Sequence, residues 1–108
     1  MRVLFAGTPL IAVPSLEALA ASSHDVVGVL TAPDRRRGRG KQVSYPPVKE
    51  RALELGLPVI QPETLRGEAR EQVSALDPEL LACFAYGKIF GPRFLALFDR
   101  GALNVHPS

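Results

Sequence analysis

Asn104 and His106 are the residues of this 108-residue chain whose types and spacing most readily do chemistry. They sit at the end of an apolar run, Ala102-Leu103-Asn104-Val105-His106, that reads as a β-strand. Strand side chains two apart project from the same face, so the pair would share one side of that strand's carboxyl end. An amide can steady a developing oxyanion, and an imidazole with an unperturbed pKa near about 6.5 can move protons at neutral pH. Together they suggest acyl transfer. Asn-x-His also arises by chance in many proteins, so the pair takes its meaning from the segments around it.

Those segments alternate between short apolar, β-branched runs and helical patterns, the signature of βαβ units around a parallel sheet. Five strands are predicted: Arg2 to Ala6, Val26 to Thr31, Val59-Ile60, Leu80 to Ala85 and Ala102 to Val105. Helices are predicted from about Ala12 to Ser22, from Pro46-Pro47 through Leu55, from Glu68 to Leu76 and from Pro92 to Phe98. Right-handed crossovers then give an α/β, Rossmann-like, open and mostly parallel sheet flanked by helices, with the first strand central and the domain incomplete. Ligands of such sheets bind outside the carboxyl ends of the strands. Here those ends are Gly7-Thr8-Pro9, Ala32-Pro33-Asp34, Tyr86-Gly87 and Asn104 to His106, which converge on one rim. The first turn is not a G-x-G-x-x-G: Pro9 removes a backbone donor and no second glycine allows close approach, which argues against a dinucleotide.

The formal charge of +2 is unevenly spread. Between Pro33 and Lys49 stand six cations, Arg35, Arg36, Arg37, Arg39, Lys41 and Lys49, against one acid, Asp34. The whole chain has 13 basic and 11 acidic residues, so the remainder holds 7 basic and 10 acidic ones and is net −3. A cationic segment on a slightly acidic body points to a polyanionic partner. The segment reads as an irregular insertion over residues 33–47, with Gly38 and Gly40 on either side of Arg39. Arginine forks match phosphate, and no aromatic lies between Arg35 and Lys41, which favours phosphate and shape recognition over base stacking. Tyr86 reads either as a core-edge aromatic or as a pocket wall. His24, Arg66, Arg70 and Arg93 read as solvated positions. The single Cys83, in an apolar run, reads as a buried small hydrophobe, and one cysteine with two distant histidines predicts no metal site. No signal-peptide or membrane-length apolar run is present, so a cytoplasmic protein is expected.

Taken in order, Phe5-Ala6-Gly7-Thr8-Pro9, Val27-Gly28-Val29, Thr31-x-Pro33-Asp34-Arg35, Gly38-Arg39-Gly40-Lys41, Pro47-Val48-Lys49, Gly56-Leu57-Pro58-Val59, Gln61-Pro62, Ala85-Tyr86-Gly87-Lys88-Ile89 and Asn104-Val105-His106-Pro107-Ser108 resemble the amino-terminal part of the methionyl-tRNA formyltransferases. The resemblance implies transfer of a formyl group from 10-formyltetrahydrofolate, a co-substrate, to the amino group of methionyl initiator tRNA, with no metal. It implies catalytic roles for Asn104 and His106 and folate contacts from Ser108, Tyr86 and Ile89. It also implies tRNA contacts from Arg35, Arg36, Arg37, Arg39 and Lys41. A third catalytic member, an aspartate, the rest of the catalytic domain and a carboxyl-terminal tRNA-binding domain are expected to lie beyond residue 108. The complete protein is then expected to be monomeric, and the 108-residue piece to turn over negligibly by itself. Three other readings stay open: a folate-dependent formyltransferase acting on a small molecule, a non-catalytic RNA-binding module working through the basic segment alone, and a structural fragment that does not fold by itself.

Overall fold

A computed structural model describes residues 1–37 and 42–105. Its main sheet is built from β1 (Arg2–Gly7), β2 (Asp25–Leu30), β5 (Val59–Ile60), β6 (Leu80–Phe84) and β7 (Ala102–Val105), and a separate ribbon from β3 (Arg35–Arg37) and β4 (Gln42–Ser44). The helices are α1 (Val13–Ala20), α2 (Pro47–Glu54), α3 (Gly67–Leu76) and α4 (Pro92–Leu95), with a short 3₁₀ turn at Leu10–Ala12. The sheet runs β5-β2-β1-β6-β7 with every pair parallel, so β1 is central as predicted. From β1 the chain steps outward through β2 to β5, then returns to the other side of β1 at β6. That reversal puts a topological switch point between β1 and β6, where an open parallel sheet leaves a crevice.

β1 is buried on both faces, which is why Val3-Leu4-Phe5-Ala6 is continuously apolar rather than alternating. Phe5 packs with Ala12, Leu16, Val29, Val48 and Ala52 under α1 and α2. Leu4 and Ala6 face the opposite layer with Leu30, Val73, Leu81, Phe94 and Phe98 under α3 and α4. Truncating a fully buried residue such as Leu4 to alanine would cost about 2–5 kcal/mol. Two glycines permit the close packing. A Cβ on Gly28 would fall 2.6 Å from Leu76 Cδ1, and one on Gly7 would fall 2.8 Å from the Phe84 carbonyl oxygen.

Two elements differ from the sequence expectation. The basic segment is not irregular throughout: β3 and β4 pair antiparallel, Arg35 opposite Ser44 and Arg37 opposite Gln42. Gly38, Arg39, Gly40 and Lys41 lie outside the described residues. The last helix closes at Leu95, and the chain continues as tight turns, with Leu97 N–H donating to Phe94 O and Phe98 N–H to Leu95 O, which carry Phe98 into the core. No helix among the described residues is long and apolar enough to cross a membrane.

Candidate active site at the strand ends

The rim outside β1, β2 and β6 is held together by Thr8. Its hydroxyl donates to the Tyr86 carbonyl at 2.9 Å and accepts from the Ala32 N–H at 3.3 Å. Its own N–H donates to Ala85 O at 3.2 Å, and its carbonyl accepts from Val48 N–H in the first turn of α2 at 3.3 Å. One residue after Gly7 thus ties three strand ends and a helix. The bend at the end of β6 is strained: Ala85 has φ +56°, a left-handed conformation that costs a non-glycine residue about 1–2 kcal/mol. Such strain gathers at functional rims.

Around this staple opens a cleft of about 420 Å³, walled by Thr8, Pro33, Asp34, Arg35, Gly87 and Lys88. Asp34 is its most connected carboxylate. Lys49 Nζ approaches its two oxygens at 3.0 and 2.9 Å, and Gln61 Nε2 donates to Oδ1 at 2.6 Å while also reaching Ala32 O at 3.0 Å. Those donors hold the Asp34 carboxyl below its ordinary value of 3.8, the Gln61 amide first and the Lys49 ammonium next. Lys49 Nζ also lies 3.7 Å from the Tyr45 ring centroid. Asp34 precedes β3 and Tyr45 follows β4, so one ammonium on α2 grips both legs of the cationic hairpin. A two-stranded hairpin is marginal alone, and this grip supplies the anchorage it needs. Lys49 is therefore spent on structure; Arg35 and Arg36 remain exposed on the hairpin.

The sequence-predicted residues fall as follows. Asn104 stands on β7 in register with Cys83, on the face that carries α3 and α4. His106 and Ser108, expected beside it, lie outside the described residues, as do Arg39 and Lys41. Tyr86 borders the cleft, but its ring is turned into the core: it is 4% exposed, stacked on Phe90 at 5.5 Å, and its buried hydroxyl has no hydrogen-bond partner among the described residues. Burial, with the neighbouring Cys83 thiol, pushes the phenol up to about 12. Burial also raises the Cys83 thiol, which matches its reading as a small hydrophobe. Ile89 is the reverse case, 94% exposed and standing over a second groove rather than in the cleft. A larger groove of about 850 Å³ follows β5 and α3, and none of the described candidate residues lines it.

Sequence reasoning missed Thr8, Asp34 and Gln61 as organisers of this rim. Each acts through partners 15 to 78 residues away, so no local pattern announces them. What the arrangement offers is a preformed crevice at the switch point with a cationic hairpin at its border, while Asn104 stands on β7, the strand next to β6, and does not line that crevice.

A sequence profile of the formyl transferase family matches residues 1–108. The chain is 52% identical over 106 residues to a methionyl-tRNA formyltransferase of Renibacterium salmoninarum, covering 98% of this chain and 34% of that protein. It is 50% identical over 109 residues to one of Chloroflexus aurantiacus, covering 100% and 35%. Among solved structures, glycinamide ribonucleotide transformylase 1 of Geobacillus kaustophilus superposes with a TM-score of 0.67 at 18% identity, over 99% of this chain and 58% of that one. That likeness speaks to the fold. The chain belongs to the formyl transferase family and carries its Rossmann-like α/β sheet. It spans about a third of the length of the curated relatives it matches.

Proposed function

We propose that the complete protein transfers a formyl group from 10-formyltetrahydrofolate to the amino group of methionyl initiator tRNA. In this reading residues 1–108 are the amino-terminal part of its catalytic domain, and the 33–47 segment is its tRNA-facing arm. The observation that carries the proposal is identity of about half, along the whole chain, to proteins named methionyl-tRNA formyltransferase, in a chain that places a hairpin of arginines at the border of the switch-point cleft.

The chemistry follows from the residues. A neutral amine attacks the formyl carbon, its oxygen gains charge, and the tetrahydrofolate nitrogen leaves with a proton. The Asn104 amide donates to that oxyanion and His106 manages protons; one such donor accounts for about 10² to 10³ in rate and proton management for about 10² to 10⁴. An aspartate from outside this chain orients His106, as a carboxylate does for imidazole in other acyl-transfer sites. Ser108 and Ile89 contact the folate, and Tyr86, whose ring is buried, borders the cleft that takes it. The exposed guanidinia of Arg35 and Arg36, with Arg37, Arg39 and Lys41, take the phosphates of the RNA.

Formyl transfer from 10-formyltetrahydrofolate to charged initiator tRNA, assayed with the complete protein, is the test. Asn104→Ala should lower kcat about 10²- to 10³-fold with little change in KM for tRNA. Transfer to glycinamide ribonucleotide in place of tRNA would install the small-molecule reading. RNA binding that is steeply salt-dependent and indifferent to His106→Ala, without formyl transfer, would install the binding-module reading.

A further inference from the structure

The arginine ribbon has little of its own to fix its position. No residue of β3 or β4 belongs to either hydrophobic cluster, and Val43 is exposed. Among the described residues, no hydrogen bond or ion pair joins either strand to another element. Its placement is therefore decided at its feet, where two clasps act in succession. Thr8 is the first: it accepts from the Ala32 N–H on its hydroxyl and from the Val48 N–H on its carbonyl, so it fixes where the segment leaves the rim and where it rejoins. Lys49 is the second, one step further out, with Asp34 on the entering leg and Tyr45 on the leaving leg. Gln61 also reaches Asp34, but it holds that leg alone.

Local rules do not ask for a lysine at this place. A cation in the first turn of α2 meets the positive end of the helix dipole, and the neighbouring ribbon carries three more cations in Arg35, Arg36 and Arg37. Yet the Lys49 side chain is only 13% exposed and that of Asp34 only 28%. Salt screens so covered a pair far less than it screens exposed charges. Desolvation offsets much of the attraction within it, which leaves the fixing of one arrangement as its distinctive contribution. A local rule broken in this way marks a position kept for function.

We propose that Lys49 and Asp34 work as one unit, as positioning residues for the acceptor: they set how Arg35 and Arg36 meet the RNA beside the cleft and do not themselves bind phosphate. This role rests on the tRNA-facing reading of residues 33–47. It differs in sign from direct contact. A lysine that bound phosphate would be released by removing the Asp34 carboxylate, the arm would gain net positive charge, and RNA would bind more tightly. A lysine that positions the arm loses its hold on the entering leg, the arginines are misplaced, and RNA binds more weakly.

Binding of uncharged initiator tRNA to the complete protein at one fixed ionic strength reads that sign, and calorimetric binding of 5-formyltetrahydrofolate reports on the cleft. Asp34→Asn and Lys49→Met are each expected to weaken tRNA binding about tenfold, and the double variant to be about as weak as either single one. Lys49→Arg keeps a cation for both Asp34 and Tyr45 and should stay within about threefold of the unaltered protein, while Lys49→Met should keep its folate affinity. Unchanged or tighter tRNA binding in Asp34→Asn, or losses that add in the double variant, overturns the proposal and leaves the tRNA reading intact. An equal loss of folate and tRNA affinity in Lys49→Met overturns it too, since the pair would then hold the whole rim rather than the arm. If the unaltered protein does not bind the tRNA, the tRNA reading falls and this proposal with it.

Discussion

Replacing Thr8 by valine removes one hydroxyl and keeps the branched shape. That hydroxyl makes two bonds, to Tyr86 O at 2.9 Å and from Ala32 N–H at 3.3 Å, both partly buried. Each such bond contributes about 0.5–1.5 kcal/mol net, so Thr8→Val should destabilise the chain by about 1–3 kcal/mol. With a urea slope of about 1.5 kcal/mol per molar, the unfolding midpoint falls by roughly 0.7–2 M at unchanged slope. Thr8→Ser, which keeps the hydroxyl and loses only a methyl group, should retain more than half of that difference. Amide hydrogen exchange adds a local reading: the Ala32 N–H should lose protection in the valine variant and keep it in the serine one. A valine variant within 0.3 kcal/mol of the parent, or a serine variant equally weakened, would refute the claim that the hydroxyl closes the rim; the threshold is of the order at which distant mutational effects merge.

Gly7→Ala should cost about 1–3 kcal/mol by overpacking, because the new methyl group meets the Phe84 carbonyl at 2.8 Å and that carbonyl belongs to the β6 backbone; chemical denaturation checks it. Tyr86→Phe should leave stability unchanged or raise it by up to about 1 kcal/mol, since the buried hydroxyl is unpaired among the described residues, and a measured loss above that size would show a hidden partner. Acid should weaken the fold below the ordinary carboxyl values. Asp34 and Glu79 are both held low, Glu79 first by the Arg2 backbone N–H. The stability they provide is therefore complete above 3.8 and 4.5 and is lost as the pH falls through those values toward the lowered ones. In an acid titration followed by circular dichroism, Asp34→Asn should flatten the Asp34 part of that decline.

The five strands of the sheet were legible because each is a short apolar run near Gly, Pro or Asp, with β-branched residues in all but β6, and the central place of β1 followed from crossover handedness. The hairpin was not. Arg35-Arg36-Arg37 and Gln42-Val43-Ser44 carry no alternating apolar face, and what stabilises their pairing is the Asp34–Lys49–Tyr45 grip, assembled from residues that sequence spacing does not connect. The same reason hides the rim. Gly7 and Asn104 declare themselves by position at a strand end, whereas Thr8 and Gln61 matter through bonds to distant loops. The resemblance singles out Ile89, but its exposure over a separate groove depends on how the chain turns after the left-handed Ala85, which an alanine does not signal.

The grip of Lys49 on both hairpin legs has an evolutionary corollary. Because the seam closes beneath the ribbon, β3 and β4 form a cassette that can be recharged or exchanged while the sheet, α2 and the cleft floor keep their register. The charge carried by that short stretch can thus change while the packing of the scaffold beneath it stays as it is.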